Sequence, residues 1–200
     1  MTTAFFYGVT LAFGLILPLG IQNVFIFNQG ATQPSYFRAV PSVITAFICD
    51  VVLILLAVLG VSFIVLTIPW LKNLIFGVGI IFLGYMGYTT WKSSGGARAV
   101  AKPLSAKAQI GFAASVSLLN PHALLDTIGV IGTNSLNFLG YDKFAYTTGC
   151  IFVSLCWFVG LSIAGHYFNK MDKTGQGSVI INKISALIMW GVAVYLIKQL

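Results

Sequence analysis

The chain has 200 residues, 58% of them hydrophobic and only 8% charged. Soluble domains carry about a quarter charged residues, so this composition excludes a water-facing globular surface and leaves one that faces lipid. The net charge of +7 does not signal a nucleic-acid partner, because the Lys and Arg residues fall between apolar runs, where loop-charge asymmetry across a bilayer accounts for them.

The length suits a single domain, 1–200. Its start, MTTAFFYGVTLAFG, has neither a basic leader nor a small-residue cleavage site. It reads as a first span rather than a signal peptide. Apolar runs follow at about 4–27, 41–66, 73–91, 109–132, 144–168 and 179–197, each near the ~20 residues needed to cross a bilayer. The sequence therefore predicts an all-α, multi-pass membrane protein of six transmembrane helices.

Within the first run, Pro18 and Gly20 should break the helix, since proline removes a backbone hydrogen bond and clashes with the preceding turn. Gln22 and Asn23 follow the break. The second run contains Asp50, in TAFICDVVLILL. A charge at the bilayer centre costs about 2.5–3.5 kcal/mol on insertion scales, which makes Asp50 a candidate for substrate, ion or proton binding. Trp70 and Trp91 bracket the third run 21 residues apart, about 31 Å of helix, with one interfacial indole at each end. Gly77, Gly79, Gly84 and Gly87 in this run are expected to serve close helix packing.

The segment 92–108 is basic and contains Gly, Ser and Pro, as a cytoplasmic loop would. The fourth run carries Asn120-Pro121-His122, a second expected break, and Asp126. His122 is a candidate proton relay, because imidazole titrates near neutrality. Cys49, Cys150 and Cys156 lie inside apolar runs without CxxC or Cys/His spacing. No metal site, cofactor or disulfide framework is expected from them, and no hydrolytic Ser/His/Asp or HExxH constellation is present, so the chain does not read as an enzyme.

Loops 1–2, 3–4 and 5–6 hold eight basic residues (Arg38; Lys92, Arg98, Lys102, Lys107; Lys170, Lys173, Lys183) against three on the other side (Lys72, Lys143, Lys198). That bias puts the odd-numbered loops in the cytoplasm and both termini outside. A five-span chain with a re-entrant segment is the rival arrangement.

Displacing the chain by 103 residues superposes Gly8, Pro18 and Asn23 on Gly111, Pro121 and Asp126, and a displacement of 104 brings Asp50 onto Ser154. The spacing suggests two three-helix repeats, about 1–91 and 109–200. An odd span count inverts the second copy, and inverted repeats with broken helices, here helices 1 and 4, mark secondary transporters.

LPLGIQNVFIFNQG (17–30), CDVVLILLAVLG (49–60), NPHALLD (120–126), SLCWF (154–158) and IMWGVAVYL (188–196) together resemble the lysine/arginine exporter (LysE) family, in its basic-amino-acid branch, over essentially the whole chain. The resemblance implies a homodimer in the bacterial inner membrane. It implies export of L-lysine or L-arginine by secondary transport, driven by the membrane potential and proton gradient. The substrate-binding or coupling role would fall to Gln22, Asn23, Asp50, Asn120 and Asp126. The chain departs from the family after residue 132, where it reads TNSLNFLG. Alternatives are a neutral amino acid or divalent-metal exporter and, more remotely, a membrane thiol–disulfide electron carrier. The two carboxylates by themselves favour a cationic cargo.

Overall fold

The computed structural model describes residues 1–17, 20–60, 103–118, 126–171 and 176–198, with single positions between 74 and 92 and at 123–124. Among the described residues all regular structure is helical. That is the expectation for backbone in lipid, where every N–H and C=O must find a partner within its own segment. The elements are α1 (Thr2–Ile16), α2 (Ile21–Thr32), α3 (Tyr36–Val58), α4 (Ala106–Leu118), a π-helix (Asp126–Gly132), α5 (Gly140–Met171) and α6 (Gln176–Ile197). Among the described residues, α3 and the Gly140–Phe168 part of α5 are each long and apolar enough to cross a membrane.

α1 and α2 form a third candidate span, bent by 82° between its halves. α2 starts after Gly20, whose backbone is extended (φ −76°, ψ 173°). The Asn23 side chain then reaches back, its Nδ2 donating to the Ile16 carbonyl at 2.8 Å. This bond satisfies one of the carbonyls a helix leaves open at its C-terminus.

Contacts with α5 follow the chain order of the bent pair. The Met1 amine pairs with Asp142, Gly8 lies on the Tyr146 carbonyl, Phe13 stacks edge-on to Trp157 and Phe27 meets Phe168. Both chains advance in the same order, so α1 and α2 together run parallel to α5 along its length.

α4 and the π-helix likewise follow the chain order of α3. Gln109 of α4 bonds the Arg38 carbonyl, Ala113 shares a core cluster with Val43 and Ala46, and Gly132 of the π-helix faces the Ala57 carbonyl. α4 and the π-helix therefore run parallel to α3. α3 and α5 run in opposite senses: Ala46 clusters with Phe158, while Ile54 and Val58 cluster with Tyr146 and Cys150.

Two details depart from expectation. α3 stops at Val58, short of residue 66, because Gly60 adopts φ +78° and its N–H bonds the Ala57 carbonyl, a left-handed cap that terminates a helix. Close glycine packing is also found outside the third run. A Cβ on Gly30 or Gly165 would overlap the carbonyl of Ser162 or Phe27 respectively, whereas among the described residues one on Gly77 or Gly84 would meet nothing. Gly87 does stand close to Trp190, and Gly79 lies outside the described residues.

Candidate functional site

Asp50 lies near the middle of α3, fourteen residues after its first residue, Tyr36. Both carboxylate oxygens are engaged by neutral donors from other helices. Gln22 Nε2, in the first turn of α2, donates to Oδ1 at 3.1 Å, and Ser154 Oγ of α5 donates to Oδ2 at 3.0 Å. Gln22 and Ser154 are themselves buried. Among the described residues no Lys or Arg forms an ion pair with Asp50. A carboxylate has about four acceptor positions. Two are engaged here by Gln22 and Ser154, which hold the group in place.

Position explains why these three groups meet. Gln22 follows the break in the first span, so α2 presents it toward α3 at the level where α1 ends. Asp50 and Ser154 stand where the oppositely directed α3 and α5 cross.

Of the other residues singled out in the sequence, Asn23 is buried and bridges the break to Ile16. Gly20 caps α2. Asp126 opens the π-helix, a geometry that concentrates at functional sites, but its side chain is not among those described. Pro18, Asn120, Pro121 and His122 lie outside the described residues.

Reading the sequence alone missed Ser154 as a partner of Asp50, although the 104-residue displacement had already superposed the two. It also missed a cluster of buried glutamines where α2 ends and α3 and α4 begin. Gln33 Nε2 donates to Gln29 Oε1 at 3.2 Å and to the Leu104 carbonyl at 3.0 Å. Gln109 Nε2 donates to the carbonyls of Arg38 at 2.8 Å and Leu104 at 3.0 Å. One carbonyl thus ties the end of the basic 92–108 segment to two glutamine side chains. Among the described residues no group of three or more His, Cys, Asp or Glu could hold a metal.

Comparison with known proteins adds the family. YisU of Bacillus subtilis (strain 168), named a candidate amino-acid transporter, is 51% identical over 193 residues, covering 96% of this chain and 88% of that one. The arginine exporter protein ArgO of Shigella flexneri is 30% identical over 207 residues, 100% of this chain and 95% of that one. ArgO of Escherichia coli (strain K12) is 29% identical over the same span. No solved structure matches. A helical chain with lipid-facing composition, a bent α1–α2 pair and a carboxylate held between helices thus also matches the model of the LysE type translocators over residues 13–200; it belongs to that family of membrane transporters and is not an enzyme.

Proposed function

We propose that this protein exports a cationic amino acid, arginine or lysine, from the bacterial cytoplasm across the inner membrane, driven by the proton-motive force. The observation that carries the reading is Asp50, an acid at mid-span fixed by two neutral donors and left without a cationic partner among the described residues. An arginine guanidinium can take a carboxylate bidentately, and a lysine ammonium can meet it as a point charge. The arginine exporters at about 30% identity support the same cargo.

The site would comprise Gln22, Asn23, Asp50, Asn120 and Asp126, with His122 as a proton relay. It would lie between two inverted three-helix repeats, joined by the cytoplasmic 92–108 loop. Three relations support that architecture. α1 and α2 follow the chain order of α5, α4 and the π-helix follow that of α3, and α3 and α5 are antiparallel, so the two segments run in opposite senses. Asp50 and Ser154, superposed by a displacement of 104, meet each other, as equivalent residues on a two-fold axis would. Gly30 against Ser162 and Gly132 against Ala57 are also near-equivalent pairs, displaced by 102 and 105. A homodimer is part of the same reading.

The deciding experiment is efflux of labelled arginine, lysine and threonine from preloaded vesicles carrying the purified protein. Faster arginine or lysine efflux that collapses with the proton gradient is expected. Threonine efflux alone would replace the cationic cargo with a neutral one.

A further inference from the structure

The interior of the bundle holds a hydrogen-bond donor with no acceptor among the described residues. Trp157 Nε1 is buried from solvent and has no partner among them. Indole carries one N–H donor and no acceptor, and a buried tryptophan usually finds it a partner. Trp190 does so, its Nε1 donating to the Gly84 carbonyl at 3.4 Å. Leaving a donor unpaired in an apolar interior is unfavourable, so the lone N–H of Trp157 points to a ligand acceptor.

Its place in the bundle gives the acceptor's identity. Trp157 follows Ser154 by three residues on α5, a spacing that puts two side chains on adjoining parts of one helix face. Ser154 is bonded to Asp50. The indole packs against a cluster containing Ile26 and Ala46, each four residues, about one helical turn, from Gln22 and Asp50 respectively. Its ring lies edge-on to Phe13 at 5.7 Å, and Ile16, whose carbonyl Asn23 engages, packs on the same cluster. Trp157 thus packs among the elements that carry Gln22, Asp50 and Ser154.

We propose that Trp157 is a specificity-determining residue that donates its indole N–H to the α-carboxylate of the cargo while Asp50 receives the cationic end. This rests on the cationic amino acid reading given above. A neutral donor suits the task, since a second cation so close would pair with Asp50 and close the site. A cargo lacking the carboxylate would lose this contact, which would make the site select amino acids over simple amines.

The test compares binding of labelled arginine with that of agmatine, which is arginine without its carboxylate, to the purified protein in nanodiscs. Wild type is expected to prefer arginine by about ten- to a hundredfold, the range for one hydrogen bond to a charged group. Trp157→Phe, which keeps the ring and removes the N–H, is expected to bring arginine down to the agmatine level and leave agmatine binding unchanged. Trp157→His, which restores a ring N–H, is expected to recover part of the preference. Equal binding of arginine and agmatine by wild type would overturn the proposal without any variant, as would a preserved arginine preference in Trp157→Phe. Wild type that binds neither arginine nor lysine overturns the cargo reading itself, an outcome distinct from a lost preference.

Discussion

Asp50 is legible in the sequence as an anomaly, an acid in TAFICDVVLILL, but its chemistry depends on what holds it. With Gln22 and Ser154 on its two oxygens, the carboxylate is oriented before any cargo arrives. Asp50→Asn keeps the size and the hydrogen bonding but cannot carry charge. It is expected to weaken arginine binding about ten- to a hundredfold, the scale of a charge-assisted bond, with unchanged membrane insertion. The check is efflux from cells at matched expression, and wild-type efflux by the variant would remove Asp50 from the site. Asp126→Asn is expected to abolish export in the same assay. Ser154→Ala leaves Asp50 with one of its two donors, and a loss of about tenfold in arginine affinity is expected. If Ser154 only fills space, Ser154→Ala and Ser154→Cys should behave alike; if its hydroxyl orients Asp50, Ser154→Thr alone should retain binding.

The elements are held by backbone contact as much as by side chains. α2 meets α5 where Gly30 and Gly165 each lie against a carbonyl of the other helix, the close approach that small residues permit between helices in lipid. Adding a methyl at either position forces the helices apart. Gly30→Ala and Gly165→Ala are expected to lower stability by about 1–3 kcal/mol, the usual cost of overpacking. Gly14→Ala, where a Cβ would meet nothing among the described residues, should be neutral or slightly stabilising. Thermal unfolding in detergent separates the two classes, and equal melting temperatures for all three would refute the packing account. The glutamine cluster acts at the opposite end of α2 from the break. Gln109→Leu removes the donor to the carbonyls of Arg38 and Leu104. The Leu104 carbonyl keeps Gln33 as a donor, so the loss is that of two hydrogen bonds, about 0.5–1.5 kcal/mol each, and the start of α4 should open more often. Tryptic cleavage after Lys107 is expected to speed up by about fivefold or more.

For the whole molecule, loop charge sets the orientation expected in the bilayer. Eight basic residues on one set of loops and three on the other predict a cytoplasmic 92–108 loop and external termini. A C-terminal reporter that is active only outside the cytoplasm is expected to be active, and a C-terminal fluorescent reporter that matures only inside is expected to be dark. The reverse pattern would exclude six spans with this orientation.

Composition alone established that the chain faces lipid, because so few charges cannot clothe a soluble surface. Gly20 has an extended backbone ahead of α2, a conformation that a glycine in an apolar run readily takes. Asp50 declared itself through its cost in an apolar run. Tertiary structure alone decided the rest. Gln22 and Ser154 lie 28 and 104 residues from Asp50, and no periodicity read along one helix reports which donors from two others will reach a carboxylate. That α1 and α2 follow the chain order of α5 is also a matter of tertiary contact. The unpaired N–H of Trp157 is likewise invisible in the sequence, since an indole shows itself to be without a partner only once every neighbouring acceptor has been placed.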